Sequence, residues 1–128
     1  MANILVVDDD ALISSATAAM LDDLGHVVIE ASSGAGALEI LRGDAKIDVI
    51  ITDYAMPHMT GLELAGVIRD QWPSLPIILA SGYADLMNTE DLPFRRLAKP
   101  FLQAELAASI TAALEERTIV PIETAMGT

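Results

Sequence analysis

The chain has 128 residues, of which 52% are hydrophobic, and it carries a net charge of −12 at neutral pH. This length suits one domain with a real core, and the acidic balance argues against direct binding to nucleic acid, whose phosphates it would repel. The absence of cysteine excludes disulfides and cysteine metal sites, and no apolar run reaches the roughly 18 residues of a membrane span.

Short apolar runs predict β-strands along most of the chain. They are rich in β-branched residues and nearly unbroken, which is typical of strands that are covered on both faces. Helical patterns lie between them, so the repeated β-α order predicts a parallel sheet with helices on both faces. The predicted strands are, in chain order, Ile4–Val7, Val27–Ile29, Val49–Ile51, Ile77–Leu79 and, more weakly, Arg96–Ala98.

Each of the first three strands is followed by a segment with apolar residues at helical spacing and a polar residue at its start. Serine, threonine and aspartate are favoured at helix N-caps because their side chains accept hydrogen bonds from free main-chain N–H groups. The first helix closes at Gly25 and the third ends before Pro73. The predicted caps are Asp10, Ser32 or Ser33, and Thr60.

The last third of the chain is less regular. Residues 85–91 leave room for about two helical turns, so we expect a short or irregular helix between the fourth and fifth strands. Apolar residues between Leu106 and Leu114 recur at helical spacing and predict a final helix. Because residues 118–128 contain Pro121 and Gly127 and show little pattern, we expect a domain over 1–117 and a C-terminal tail over 118–128.

Polar residues follow several of the predicted strands, at the sheet edge where parallel sheets bind ligands. Asp8 and Asp9 follow the first strand, Asp53 the third, Ser81 the fourth and Lys99 the fifth. Each of these residues alone would be a turn residue or a solvated charge. Since four strand ends carry complementary groups, we expect them to form one site.

Clustered carboxylates repel one another unless a cation offsets their charge. Mg²⁺ is bound through one or two carboxylates, together with water and phosphate oxygens, so Asp8 and Asp9 predict a magnesium site. A carboxylate beside such a metal can attack phosphorus and form an aspartyl phosphate. Asp53 is the best nucleophile because it stands alone on the central strand, while Lys99 and Ser81 can bind phosphoryl oxygens.

The motifs VVDDD, IITDYAMPHMTG, ILASG and AKPF occur in an order that resembles the receiver domain of two-component response regulators. The resemblance extends from Ile4 to about Leu114. It implies a flavodoxin-like, doubly wound sheet of five parallel strands in the order 2-1-3-4-5. It also implies a signalling domain rather than an enzyme, one that catalyses only its own phosphorylation and dephosphorylation.

By position, the resemblance implies a role for each polar residue at the strand ends. Asp8 and Asp9 would be the acidic pair that binds Mg²⁺ together with Asp53. Asp53 would be the phosphoacceptor. Ser81 would be the switch hydroxyl, and Lys99 would contact the phosphoryl group.

The resemblance also marks positions around the site. The main-chain carbonyl of Ala55, two residues beyond the acceptor, would be a further ligand of Mg²⁺. Gly82 leaves the phosphoryl group accessible, and Tyr83 is expected to modulate the site. Many family members have an aromatic switch residue three positions before the lysine. Here that position is Arg96, so the aromatic half of the switch is missing or replaced.

The implied phosphodonor is a histidine kinase or a histidine phosphotransfer protein. Phosphorylation would draw Ser81 inward and change a face near the fifth strand that a downstream protein reads, or the chain would serve as a phosphorelay step. With no effector domain after the last helix, we expect a stand-alone receiver or one excised from a hybrid kinase. The start lacks a signal peptide, so we expect a cytoplasmic protein without membrane insertion.

Two other functions remain open on the sequence. Asp8 and Asp10 form an Asp-x-Asp motif that resembles the start of haloacid-dehalogenase-type phosphatases, with Asp8 as nucleophile and Asp10 as acid or base. That interpretation gives Asp53 no role, and no acidic metal pair follows Lys99. The other alternative is a docking module that keeps the fold and takes no phosphoryl group.

Overall fold

The computed structural model describes residues 2–82 and 94–127 of the chain, with side chains as far as residue 116. These ranges contain five strands and four helices. The strands are β1 (Asn3–Val7), β2 (Val27–Ala31), β3 (Val49–Asp53), β4 (Ile77–Ser81) and β5 (Arg95–Ala98). The helices are α1 (Ala11–Asp23), α2 (Gly34–Arg42), α3 (Gly61–Gln71) and α4 (Gln103–Gly127).

The five strands form one sheet, in which every neighbouring pair is parallel. Their order is β2-β1-β3-β4-β5, which confirms the flavodoxin-like, doubly wound sheet. The chain winds in one direction from β1 to β2 and in the other from β3 onward. In such sheets the crevice at this reversal, at the carboxyl ends of β1 and β3, is the place where ligands bind.

Both faces of the sheet are covered, as the unbroken apolar strands predict. Successive side chains of a strand point to opposite faces. Leu5 therefore packs with Leu38 of α2 and Leu64 of α3 in one hydrophobic cluster. Ile4 packs with Leu106 of α4 in a second cluster on the other face, where α1 also contributes. This double core fixes the strand ends relative to one another.

The predicted helix caps are confirmed. The Asp10 carboxylate accepts hydrogen bonds from the first main-chain N–H groups of α1, and the Ser33 hydroxyl caps α2. Thr60 and Glu63 form a reciprocal capping box at the start of α3. Gly25 follows the end of α1 with a φ of 90°, a conformation that favours glycine. Each cap of this kind stabilises its helix by about 1 kcal/mol.

The inner face of α1 is partly polar. Its buried residues are Ser14, Thr17 and Leu21, whereas Leu12, which belongs to its apolar pattern, is 84% exposed. Ser14 tolerates burial because its hydroxyl donates a hydrogen bond of 2.7 Å to a carboxylate oxygen of Glu30 on β2. The apolar side of α1 is therefore left facing solvent beside the carboxyl ends of the strands.

The C-terminal part of the chain differs in detail from the sequence prediction. β5 begins at Arg95, one residue earlier than expected. The backbone of α4 stays helical through Pro121 to Gly127, although a tail was expected over 118–128. A proline inside a helix removes one main-chain hydrogen bond and crowds the preceding turn, but the backbone here remains helical across Pro121. The division into a domain over 1–117 and a tail remains a prediction.

The short helix expected over residues 85–91 lies outside the described residues, and so does Tyr83. Across the ranges that the structure covers, none of the helices combines the length and the apolar character that a membrane crossing requires.

Candidate functional site

The structure brings the predicted site residues together at one edge of the sheet. Asp8 directly follows β1, Asp53 and Ser81 are the last residues of β3 and β4, and Lys99 directly follows β5. The parallel register sets Asp53 opposite Ala80, one residue before Ser81. The strand ends therefore deliver two carboxylates, a hydroxyl and an ammonium to the same crevice.

Lys99 joins two of the carboxylates directly. Its Nζ lies 3.1 Å from Oδ2 of Asp8 and 2.9 Å from Oδ1 of Asp53. The side chains of Lys99, Asp8 and Asp53 are 19%, 6% and 13% exposed, so these contacts are largely shielded from water. Shielded pairs of this kind are stronger than surface ion pairs, and they hold the three side chains in place.

Three carboxylates can share a cation at this position. Asp8, Asp9 and Asp53 each offer one oxygen, and these oxygens lie within 4.8 Å of one another. Asp8 is buried, Asp53 is half-buried and Asp9 is exposed at the mouth of the crevice. Carboxylate oxygens are hard ligands that suit Mg²⁺, so the donor set fits the predicted ion.

The charge balance of the cluster shifts the pKa values of two of its members. Burial raises the pKa of the Asp53 carboxyl, and the charges of Asp8 and Asp9 raise it further. The contact with Lys99 lowers this pKa but offsets only part of the rise. Burial by itself would lower the pKa of Lys99, but its contacts with Asp53 and Asp8 outweigh this effect and the pKa is raised. The two shifts have different main causes, burial at Asp53 and the contacting carboxylates at Lys99, and both indicate that the site favours added positive charge.

The raised pKa of Asp53 predicts a stability effect in the absence of metal. The folded protein binds a proton at Asp53 more readily than the unfolded chain does, so the ionised carboxylate destabilises the fold at neutral pH. We expect Asp53→Asn to melt at a higher temperature than the wild type at pH 7 with a chelator present. The difference should shrink as the pH falls and Asp53 takes up its proton.

Thermal denaturation at pH values from about 7 down to about 4 measures this difference. Asp44→Asn is the matched control because it removes one exposed carboxylate from the loop before β3, at the other end of the sheet. If Asp53→Asn melts at or below the temperature of the wild type at pH 7, the ionised Asp53 carboxylate does not destabilise the fold.

Ser81 offers a hydrogen-bond donor without a partner. Its Oγ is buried and has no hydrogen-bond partner within the part of the chain that the structure describes. A buried hydroxyl that makes no hydrogen bond costs free energy, so such groups are uncommon in folded proteins. The hydroxyl lies at the carboxyl end of β4, the strand that pairs with β3.

Gly61 is a site residue that sequence reasoning did not single out. Its main-chain N–H donates to the carbonyl of Tyr54 at 2.8 Å, which folds the loop after β3 back onto the strand end. A Cβ at this position would lie 2.1 Å from the main-chain oxygen of Asp53. The sequence does contain an indication of this close approach. Gly61 directly follows the N-cap Thr60, and since glycine is a poor helix former, its presence there suggests that a side chain would not fit.

The remaining predicted residues are placed, but their roles stay predictions. Ala55 is exposed in the loop after β3. Gly82 follows β4, and no described atom lies within 4 Å of the place that a Cβ would take. Arg96 is half-buried on β5, opposite Leu79. The Asp10 carboxylate caps α1, an arrangement that disfavours its use as the acid or base of a phosphatase.

The family comparison agrees with this geometry. The family profile of the response regulator receiver domain matches residues 4–111. The chain belongs to the response regulator receiver domain family. This confirms the resemblance of the four motifs and accounts for the gathering of acidic residues, serine and lysine at one sheet edge.

Curated relatives of this receiver include kinases and transcriptional regulators. It is 33% identical over 121 residues to the sensor kinase CckA of Brucella abortus, covering 91% of this chain and 13% of the kinase. It is 36% identical over 121 residues to the DNA-binding transcriptional regulator NtrC of Azospirillum brasilense, covering 91% of this chain and 25% of the regulator. The receiver thus spans only a small part of these relatives.

Solved structures resemble the receiver over almost its whole length. A response regulator receiver domain protein from Clostridium thermocellum matches with a TM-score of 0.85 and 30% identity, covering 94% of this chain and 99% of the other. NtrX from Brucella abortus, solved with ADP, matches with a TM-score of 0.90 and 27% identity, covering 98% of this chain and 30% of the other.

Proposed function

We propose that this receiver accepts a phosphoryl group on Asp53 from a histidine kinase or a histidine phosphotransfer protein, in a reaction that depends on Mg²⁺. One observation carries the proposal: a half-buried carboxylate at the end of the central strand contacts Lys99 at 2.9 Å and lies beside the carboxylates of Asp8 and Asp9. Because such donors work inside the cell, the proposal includes a cytoplasmic location.

The acidic cluster is the metal site of the proposal. Asp8, Asp9 and Asp53 would hold Mg²⁺, with the main-chain carbonyl of Ala55 as a further ligand. When bound, the ion supplies positive charge that stabilises the phosphoryl oxygens during transfer. The fit rests on the three carboxylate oxygens that lie within 4.8 Å of one another.

Transfer to Asp53 is a displacement at phosphorus. A carboxylate oxygen of Asp53 forms the new P–O bond while the P–N bond to the donor histidine breaks. The bonding electrons return to the imidazole nitrogen, which takes up a proton from solvent. Lys99 turns its ammonium to a phosphoryl oxygen, and the Ser81 hydroxyl donates a hydrogen bond to another. Both side chains thereby stabilise the negative charge of the phosphoryl group during transfer.

The same contacts provide the signal. Ser81 ends β4 and is paired through the sheet with Ala98, the residue before Lys99. A hydrogen bond from Ser81 to a new phosphoryl oxygen would pull on the end of β4, and a contact from Lys99 would pull on the end of β5. A downstream protein would read the resulting change at this side of the sheet, or the phosphoryl group would pass on in a relay.

Intact mass spectrometry tests the proposed function. The wild type is incubated with acetyl phosphate and Mg²⁺, and parallel samples contain a chelator or the Asp53→Asn variant. We expect a gain of one phosphoryl group in the wild type with Mg²⁺ and no gain in the other two samples. No gain from either acetyl phosphate or a phosphorylated kinase would reject the proposal and favour a docking module.

The exposed side of α1 gives the phosphodonor a place to bind. Leu12, Ile13 and Met20 of α1 form with Phe101 a groove of about 390 Å³ that also reaches Lys99. A donor histidine has to approach Asp53 from this edge of the sheet. Asp9, three residues before Leu12, is exposed, and the chain has a net charge of −12, so a partner with an apolar centre and basic flanks fits the groove.

A charge placed in the groove should separate two routes of phosphorylation. We expect Leu12→Glu to slow transfer from a donor protein by about tenfold or more, because binding of the donor would have to remove water from the new carboxylate in an apolar contact. Phosphorylation by acetyl phosphate should stay unchanged, since Asp53 and its neighbours are untouched. Glutamate near a helix N-terminus interacts favourably with the helix dipole, so α1 itself should not suffer.

The measurement is the rate of transfer from a phosphorylated histidine phosphotransfer protein that serves the wild type. Leu24→Glu is the control because Leu24, the C-cap residue after α1, is 38% exposed and lies at the end of the helix away from Leu12. Since a carboxylate is less favourable at a helix C-terminus, thermal denaturation shows whether each variant is folded. Equal slowing by both variants, or equal slowing of the acetyl phosphate reaction, would argue against this groove as the donor contact.

A further inference from the structure

We infer that Glu30 on β2 is a positioning residue that fixes the rotation of α1 and thereby keeps the apolar side of this helix available to the phosphodonor. Glu30 acts through Ser14, whose hydroxyl donates a hydrogen bond of 2.7 Å to its carboxylate. The inference rests on the proposed function, since it assigns a determinant of donor binding to a residue that lies outside both the groove and the acidic cluster.

The sequence of α1 offers the sheet two alternative faces. The residues of the face that is buried are Ser14, Thr17 and Leu21. Those of the other face line the groove, and they are Ile13, Ala16 and Met20. The two faces are one residue apart, which is a rotation of about 100° around the helix. Hydrophobic burial alone favours the second face because it has no hydroxyl groups, so another interaction must hold α1 in its observed rotation.

The hydrogen bond between Ser14 and Glu30 is that interaction. Ser14 is only 3% exposed, and a buried hydroxyl without a partner costs free energy. Glu30 is paired through the sheet with Val6, so the strand holds its main chain at a fixed place beside α1. A carboxylate is also a stronger acceptor than a neutral group. Turning α1 toward its second face would break this bond and carry Ser14 away from the carboxylate.

A second polar contact holds the other end of the helix. The side-chain amide of Gln103 on α4 donates to the main-chain carbonyl of Met20 at 3.0 Å. Gln103 therefore fixes the end of α1 that is far from the strand ends, whereas Glu30 fixes the turns that follow Leu12. Without the contact to Glu30, the first turns of α1 are free to rotate and to bury part of the groove's apolar lining.

Alkylation of an introduced cysteine tests the rotation of α1 without any phosphotransfer. The chain contains no cysteine, so Ala16→Cys supplies a single thiol on the exposed face. If α1 turns by one residue, position 16 takes the place of Thr17, which is only 5% exposed. We expect the uncharged reagent iodoacetamide to label this thiol about tenfold more slowly when Glu30→Ala is added.

Glu30→Gln is the matched control for the labelling experiment. It removes the same charge as Glu30→Ala but keeps a side-chain oxygen that can accept the hydrogen bond from Ser14. The labelling rate should therefore stay within about twofold of that measured with Glu30 intact, because a hydrogen bond to a neutral acceptor still holds the helix. Thermal denaturation shows whether each variant is folded.

Transfer from a phosphorylated histidine phosphotransfer protein that serves the wild type tests the role in donor binding. We expect Glu30→Ala to raise the half-saturating concentration of the donor about fivefold, with the maximal rate and the acetyl phosphate reaction unchanged. Glu30→Gln should restore the wild-type value. Glu39→Ala controls for net charge because Glu39 is an exposed glutamate on α2. A general fold defect would instead slow both routes of phosphorylation.

Either of two results would overturn the inference. One is a labelling rate for Glu30→Ala equal to that for Glu30→Gln, and the other is a half-saturating donor concentration equal to that of Glu39→Ala. If the wild type still gains its phosphoryl group on Asp53, the proposed function stands in both cases. A wild type that gains no phosphoryl group from any donor would reject the proposed function and, with it, the role of Glu30 in donor binding.

Discussion

Replacing Lys99 by methionine is expected to slow the phosphorylation of Asp53 by about two to three orders of magnitude. Lys99 is the cation closest to the acceptor, at 2.9 Å from its Oδ1, and it is only 19% exposed. Such an ammonium can follow the negative charge onto the phosphoryl oxygens with little rearrangement. Methionine has a similar length and a similar apolar stem but carries no charge. The decrease in the phosphorylation rate therefore measures the contribution of the ammonium.

The initial rate of mass gain with acetyl phosphate measures this effect. Saturating Mg²⁺ keeps any difference in metal affinity out of the rate. Lys46→Met is the matched control because Lys46 is exposed before β3, at the opposite end of the sheet, and its loss changes the net charge equally. If the rate of Lys99→Met is within a few-fold of the control, Lys99 does not contribute substantially to phosphoryl transfer.

Gly61→Ala is expected to destabilise the protein by roughly 1–3 kcal/mol, the range observed when atoms are forced into a packed site. The added methyl group would stand 2.1 Å from the main-chain oxygen of Asp53 and 2.9 Å from the Cα of Tyr54. Main-chain atoms cannot move aside as a flexible side chain can. Either the start of α3 or the end of β3 must shift, and the second shift would displace the acceptor carboxylate.

Gly66→Ala is the matched control because it lies in the same helix, with no described atom within 4 Å of its Cβ position. Alanine there should stabilise the protein by up to about 1 kcal/mol, since glycine is a poor helix former. The two substitutions therefore have opposite expected signs in urea denaturation. A Gly61→Ala protein as stable as the wild type, with an unchanged phosphorylation rate, would show that this close approach does not hold the site.

Much of the fold and the site was predictable because the signals are local. Apolar runs such as Val49–Ile51 mark buried strands, and polar residues such as Thr60 mark helix starts, whatever the rest of the chain does. The β-α alternation then implies a parallel sheet, and a parallel sheet gathers residues such as Asp53 and Lys99 at one edge. The strand order does not follow from these local signals, and it came from the family resemblance.

Other features depend on contacts between distant parts of the chain. The ion pair between Asp8 and Lys99 joins residues 91 positions apart, and its geometry depends on where β1 and β5 end. The exposure of Leu12 depends on which face of α1 packs against the sheet. The apolar pattern of α1 predicts that Leu12 is buried, whereas the structure buries the polar Ser14 instead. The close approach of Gly61 to Asp53 depends on how the loop after β3 folds back.

The central claim is that Asp53 is the residue that carries the phosphoryl group. Reduction of the phosphorylated protein with borohydride converts an aspartyl phosphate to homoserine, and peptide mass spectrometry then locates the changed residue. The account predicts homoserine at position 53, formed only after incubation with Mg²⁺ and a phosphodonor. Homoserine at position 8, or at any position other than 53, would contradict it.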